Sequence, residues 1–302
     1  MPAIMNYATA YQQALQARYS ANGLLYSQRL WNSPSNSIIK WAGQKTAKLP
    51  KLLILNGRKD RTRRTISSVD ANYENQWETY ELKNERYWNT LVDPSDVDET
   101  NYVTSIANIT RVYNDEEKIP EMDKQMFSSL YARKVAIDGA SSITSLALTK
   151  ANILDTFDDL MTAMDEAEVP VEGRVLYMTP TSKRILKAAE GISRSLSVQN
   201  GNGEIDRRVA RLDEVEILPV PSSRFKTMFD FTDGAKDDPA AKQIEMMLIH
   251  IPCMAAPQKY SFVSLDQPTA ANSGNYLYYE QSYDDVILFE TKADGIAFVV
   301  KP

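Results

Sequence analysis

The sequence predicts an α+β fold built from unlike parts: an N-terminal arm, a long β-hairpin, a long helix, an α/β module and closing strands. Three observations predict it. Apolar residues recur at helical spacing in two stretches, from Tyr102 to Tyr131 and from Ile153 to Met164. Short apolar runs such as Val175-Leu176-Tyr177-Met178 and Met246 to Ile251 punctuate the second half as strands. Two strand-like stretches between Leu52 and Val92 follow one another with no helix between them.

Composition narrows the function classes. With 302 residues, 43% hydrophobic and 25% charged, the chain lies in the ordinary globular range and is long enough for one large or two smaller cores. Its net charge of -6 comes from 34 basic and 40 acidic residues spread along the chain, so no region carries the basic excess of sequence-specific DNA binding. No stretch approaches the ~18 to 20 apolar residues of a membrane span, and Arg18, the first basic residue, follows no signal-type apolar run. A chain made and kept in a cytosol, with no membrane partner, is expected.

Catalytic patterns are scarce. Cys253 is the only cysteine, which excludes an internal disulfide, and a small buried apolar role is expected for it. His250 is the only histidine, so any triad, Cys/His dyad or zinc site would have to be built around it. It lies in an apolar run that reads as a buried strand, with Cys253 three residues on and on the opposite face. No dinucleotide-binding, phosphate-loop or His-Glu-x-x-His pattern occurs. The acidic pairs Asp158/Asp159 and Asp284/Asp285 leave a carboxylate-based hydrolase as a remote alternative, but adjacent acids on a helix or turn do not point together. No enzyme activity, metal or cofactor is expected.

The elements follow in order. Residues 1–50 read as an arm, with a weak helical spacing of Ile4, Ala8, Tyr11, Leu15 and Tyr19 and scattered aromatic anchors Tyr26, Trp31 and Trp41. Such a segment has little core of its own and must pack on the body of the same chain or on a neighbour. Leu52 to Ile66 and Gln76 to Val92 then read as one long hairpin spanning 51–92. At ~3.3 Å per residue each arm would reach about 50 Å, and an isolated two-stranded hairpin is marginal in water, so something outside must support it. Its charges segregate: Arg58, Lys59, Arg61, Arg63 and Arg64 on the first arm, and Glu74, Glu78, Glu81 and Glu85 on the connection and second arm. They can pair across the hairpin or between subunits.

Asp93-Pro94 gives a helix start, with Asp93 as N-cap and Pro94 in the first helical position. A long helix with Tyr102, Ile106, Ile109 and Tyr113 on one stripe is expected, and Pro120 marks a kink or the first turn of a second helix bearing Met122, Met126, Phe127, Leu130 and Tyr131. From about residue 135, Thr149 can cap a helix burying Ile153, Phe157, Leu160, Met161 and Met164. Thr179-Pro180 opens a short helix, Gln199 to Gly203 is a glycine-bearing loop, and Val215 to Val220 and Met246 to Ile251 are strands with a loop from Asp230 to Pro239 between them. The runs Tyr276 to Gln281, Val286 to Glu290 and Ile296 to Val300 read as antiparallel strands joined by tight turns.

This order of parts resembles the Hong Kong 97-type major capsid proteins of tailed bacteriophages, particularly a group from phages of Gram-positive bacteria. The matching residues are Asn75-Gln76-Trp77-Glu78-Thr79-Tyr80-Glu81-Leu82, Asp93-Pro94-Ser95-Asp96-Val97-Asp98-Glu99-Thr100-Asn101, Lys118-Ile119-Pro120-Glu121-Met122-Asp123, and Val175 to Pro180. The resemblance implies that 51–92 is an extended loop reaching over an adjacent subunit and that 93–135 is a peripheral domain with a spine helix. It implies further that 136–265 is an axial domain with the 199–203 loop near the symmetry axis, and that 266–302 supplies strands completing the core. It also implies a virion protein assembled in the host cytoplasm as hexamers and pentamers, a portal protein at one vertex and packaged double-stranded DNA held without sequence reading. The founding member carries a cleaved N-terminal scaffolding segment, whereas Met1 here leads directly into the arm, so a separate scaffolding protein is expected. Neither Lys59 nor Lys83 sits in a pattern that marks it as reactive, and no covalent cross-link is expected.

Expected contacts between subunits are Arg58, Lys59, Arg61, Arg63 and Arg64, the acids Glu78, Glu81 and Glu85, and the anchors Trp31 and Trp41. An encapsulin-like nanocompartment, which resembles the same fold but encloses protein cargo, is the nearest alternative.

Overall fold

The computed structural model describes residues 24–43, 45–60, 63–64, 71–99, 105–189 and 209–302. The expected helix at Ile4 to Tyr19, the stripe residue Tyr102 and the loop Gln199 to Gly203 lie outside the described residues.

The N-terminal segment packs on the body of its own chain. A single helical turn, α1 (Gln28–Trp31), buries Leu30 completely, while Tyr26 and Trp31 lean on the same core. A 3-10 turn over Pro34–Ile38 follows, opened by Ser33, whose side chain accepts from the Ser35 N–H. Strand β1 (Lys40–Trp41) then pairs antiparallel with β2 (Thr46–Ile54), and β2 with β3 (Tyr73–Glu81), from Thr46 opposite Glu81 to Ile54 opposite Tyr73. Ala47 and Leu49 anchor the base of this hairpin against Ile39, Ala255, Ile287 and Phe289.

The hairpin is shorter than the sequence suggests. Its second arm stops at Glu81; Leu82, almost fully buried, acts as a pivot, and β4 (Asn84–Val92) leaves to join a different sheet. Nothing in the alternating pattern of 76–92 marks this change of partner, because both halves present one face inward and one outward.

Asp93 caps the next helix as expected, its carboxylate accepting from the Ser95 N–H at 2.8 Å. That helix is α2, described over Pro94–Glu99. The long rod is instead α3 (Ile106–Tyr113), a π-helical turn over Asn114–Lys118, and α4 (Ile119–Asp138), about 50 Å in all at 1.5 Å per residue. The π turn explains Pro120: proline has no N–H to give and crowds the carbonyl four residues back, and the wider turn ahead of it lets the helix run on. Gly139, at φ +80°, ends the rod.

Beyond β5 (Thr144–Ser145), α5 (Ile153–Glu166) begins three residues later than Thr149 predicts. Asn152 is its N-cap, and Thr149 and Asn152 exchange hydrogen bonds ahead of it. Then come β6 (Arg174–Met178), α6 (Pro180–Lys187) capped by Thr179, β7 (Arg211–Leu212), β8 (Val215–Pro219), the small hairpin β9 (Phe229–Asp230) and β10 (Lys236–Asp237), and β11 (Ile244–His250). Strand β12 (Met254–Ala255), β13 (Gln258–Asp266), β14 (Tyr276–Asp284), β15 (Ile287–Leu288) and β16 (Ile296–Val300) complete the chain.

A mixed sheet in the order β5-β16-β11-β6-β8-β7 divides the core in two. Residues of β6 alternate: Val175 and Tyr177 meet Met126, Phe127 and Leu130 of α4, while Leu176 and Met178 meet Ile153, Phe157 and Met164 of α5. The last three strands do not pair with one another. β14 lies between β13 and β4, β15 pairs with β12, and β16 pairs with β11 and β5. Each apolar run thus finds a partner that the sequence places elsewhere.

Candidate assembly surface

Alternation along the hairpin sets two faces. Ala47 and Leu49 turn inward near the base; on the other face Pro50, Leu52 and Ile54 stand across from Trp77, Asn75 and Tyr73. Leu52 is 65% exposed, Ile54 70%, Tyr73 64% and Trp77 51%, so the apolar strip lies open to solvent in the isolated subunit. Single exposed apolar residues are ordinary, whereas this strip is contiguous on the outward side of a strand pair whose inward side is held by Ala47, by Leu49 and by the 3.4 Å pair of Lys51 with Glu290.

A second open face lies on the sheet β13-β14-β4. One side packs on the rod: Trp88 stacks on Tyr113 with centroids 3.9 Å apart, Lys118 pairs with buried Glu280 at 3.0 Å, and Arg86 pairs with Glu121 at 2.7 Å. The register puts Tyr87, Gln281 and Phe262 on the opposite side with Tyr279, whose ring stacks on Tyr87 at 6.2 Å. Tyr87, Leu91 and Phe262 are exposed there.

The charged residues expected at contacts fall into separate places. Arg58, Lys59, Arg63 and Arg64 are exposed at the end of the hairpin, and Arg61 lies outside the described residues. Glu78 is half-buried opposite Leu49, and Glu81 is exposed opposite Thr46. Glu85 is not on the hairpin at all; on β4 it pairs with Lys45 at 3.2 Å and accepts from Gln281 at 2.7 Å. Among the described residues no ion pair joins the arginines to these three acids. Trp31 packs on the core of its own chain, and Trp41 is 37% exposed with the Lys259 ammonium 4.6 Å from its ring centre.

The groups that would carry chemistry are otherwise engaged. Strand β11 ends at His250, and Ile251–Cys253 forms a 3-10 turn, so the regular strand expected through Cys253 is broken at Pro252. Burial pushes the Cys253 thiol up to about 12 and holds the His250 imidazolium below its ordinary value. Asp158 and Asp159 are exposed on α5. Asp284 and Asp285 point apart: Asp285 accepts from the Lys83 and Val286 N–H groups and from Arg133, while Asp284 accepts from the amides of Asn84 and Gln125. Burial raises the Asp284 carboxyl above the usual range, against the pull of those two amides and with help from Asp285 and Glu121. The two acids do not point together, as their adjacency predicts, and both are buried, which adjacency does not announce. Among the described residues, no helix is long and apolar enough to cross a membrane.

No protein-family model matches this sequence, and no curated protein does. Solved structures match in shape. The capsid of cyanophage P-SCSP1u aligns at a TM-score of 0.65 and 9% identity over 99% of this chain and 93% of that one. The mature capsid of bacteriophage PhiM1 aligns at 0.63 and 11% identity over 100% and 92%. This chain has the phage-capsid fold. A chain of Mycobacterium phage Che8 aligns too, at 0.56 and 13% identity over 99% and 96%. The phage-capsid fold agrees with the Hong Kong 97-type expectation.

Proposed function

We propose that the chain is the major capsid protein of a tailed phage, assembling as hexamers and pentamers into an icosahedral shell around double-stranded DNA. The open apolar strip of the hairpin carries this reading, in a chain that aligns with phage capsid chains over 99% and 100% of its length. Burying that strip on an adjacent copy supplies a contact that a symmetric shell repeats many times, so individually weak contacts sum to a stable wall. Residues 51–81 act as the extended loop and the rod as the spine of a peripheral domain. The six-stranded module acts as the axial domain, and the arginines at the hairpin end meet acidic groups of a neighbour. A separate scaffolding protein directs closure, a portal occupies one vertex, and the acidic-leaning subunit contains DNA without gripping its phosphates.

Negative-stain electron microscopy of the protein, expressed alone and with its neighbouring candidate scaffolding gene, tests the proposal. Shells, tubes or rings of five and six are expected. Compact monomers in both samples overturn it.

A further inference from the structure

The sheet β13-β14-β4 ends on either side in a strand with one neighbour, and the two end strands differ. On β4, Arg86 donates to Glu121 of the rod and to the carbonyls of Phe231 and Gly234, so the loop between β9 and β10 lies beside that strand. At the other end, β13 runs nine residues, pairs with β14, and carries no charge between Lys259 and Asp266. Val263 is more than half exposed, and Phe262 and Leu265 a little less.

An end strand turns a row of backbone N–H and C=O groups away from its sheet, and chains guard such a row with charge, proline, bulges or shortness. The end strand β3 is guarded in this way, with Glu74, Glu78 and Glu81 along it. The one bulge of β13 falls at its start, between Gln258 and Tyr260, and the register is regular from there to Asp266. What completes an edge of this length and polarity is a further strand.

The charges at its ends select the partner. Lys259 lies over the Trp41 ring, a contact that leaves the ammonium without a carboxylate, and Asp266 accepts from the Ser264 hydroxyl; among the described residues neither forms an ion pair. A strand with a cation at its start, an anion at its finish and uncharged residues between is complementary to itself run in reverse. We propose that β13 pairs antiparallel with β13 of a second copy, about a two-fold axis perpendicular to the sheet that passes near Phe262 and Val263, midway between the charged ends. The pairing joins two three-stranded sheets into one of six and turns the outer faces of both copies, with Tyr87, Leu91 and Phe262, to the same side. It rests on the assembly reading above for its second copy, and adds to the hairpin contact one made by main chain.

The symmetry supplies the test. Ser261→Cys, Phe262→Cys, Val263→Cys, Ser264→Cys and Leu265→Cys are made singly in the full chain and oxidised mildly; Cys253 is buried, its thiol pushed up to about 12, and stays out of the reaction. A disulfide-linked pair of chains is expected at one position only, because a residue one place off the axis lies about 8 Å from its mate, beyond disulfide reach. Two different variants mixed together should link only when their positions are symmetric about that residue. Asp266→Lys, added to the linking variant, places like charges at both ends and should lower the yield about threefold or more, and Lys259→Asp beside it should restore the yield. No linked pair at any position, the result if another segment of the chain covers the edge, overturns the proposal. Equal yields at all five positions, or a yield that Asp266→Lys leaves unchanged, overturn it too. Electron microscopy is scored separately: shells without the link remove this pairing alone, and linked pairs without shells remove the capsid reading alone.

Discussion

Asp123 and Arg224, 101 positions apart, meet at 2.8 Å with both side chains almost wholly removed from solvent. The same carboxylate accepts from the Ser27 N–H at 2.8 Å, the Ser27 hydroxyl at 2.6 Å and the Tyr26 N–H at 3.3 Å. The guanidinium also donates to the Leu24 carbonyl and lies over the Tyr26 ring. One buried ion pair therefore ties the N-terminal segment to the rod and to the turn after β8.

Removing one partner leaves the other charge buried and unpaired, which costs about 3–5 kcal/mol. Asp123→Ala is expected to lose stability on that scale, measured by urea unfolding, and to release residues 24–33. Trypsin should then cut at Arg29 in the variant and spare it in the wild type; equal resistance of the two chains contradicts the clamp.

The Asp284 carboxyl gives a pH dependence whose sign is fixed. Its folded pKa is raised by burial, so the folded chain holds the proton more tightly than the unfolded chain does. The associated stability is whole below the unfolded value, about 3.9, and is lost as pH rises through the folded value. Asp284→Asn cannot ionise, and its amide oxygen can still accept from Asn84 and Gln125. The melting temperature of the variant is expected to gain on the wild type between pH 4 and pH 7. A difference that stays constant over that range refutes the assignment.

These two sites also mark where the sequence stops being legible. The buried stripe Ile153, Phe157, Leu160 and Met164 and the run Val175 to Met178 were readable because local periodicity alone decides which residues face inward. The partner of β4 was not, since its alternation suits pairing with β2 or with β14 equally well. The long rod starts at Ile106 rather than at Pro94, and the choice at Pro120 between a kink and a new helix was settled by a π turn that no sequence pattern announces. Asp123 reads as one acid among many on a helix until Arg224 and Ser27 arrive from distant parts of the chain.

Phe127 tests the core that joins rod to sheet. Its ring is fully buried and meets Phe225 at 4.8 Å and Tyr177 at 5.5 Å, both edge to face. Phe127→Ala is expected to cost about 3–5 kcal/mol, read from denaturant midpoints. A loss under about 1 kcal/mol would mean that α4 does not pack on β6 as described.

The hairpin offers the sharpest separation of folding from assembly. Leu52, Ile54 and Trp77 are more than half exposed and contribute little to the fold of the single subunit. Leu52→Ser with Trp77→Ser should change subunit stability by about 0.5 kcal/mol or less per site, the range for exposed positions away from the core. The same double variant should fail to form shells, because each copy loses the apolar contact it would bury on its neighbour. Arg63→Glu with Arg64→Glu should likewise block or misdirect assembly while leaving the monomer intact, since both side chains are exposed. The two variants attack different forces, and salt distinguishes them. Contacts made by exposed charges weaken with ionic strength, so any residual assembly of the serine variant, which keeps its arginines, should fall as salt rises. Assembly of the glutamate variant should recover as the repulsion it introduces is screened. Normal shells from both variants at low salt would show that the hairpin does not join the copies.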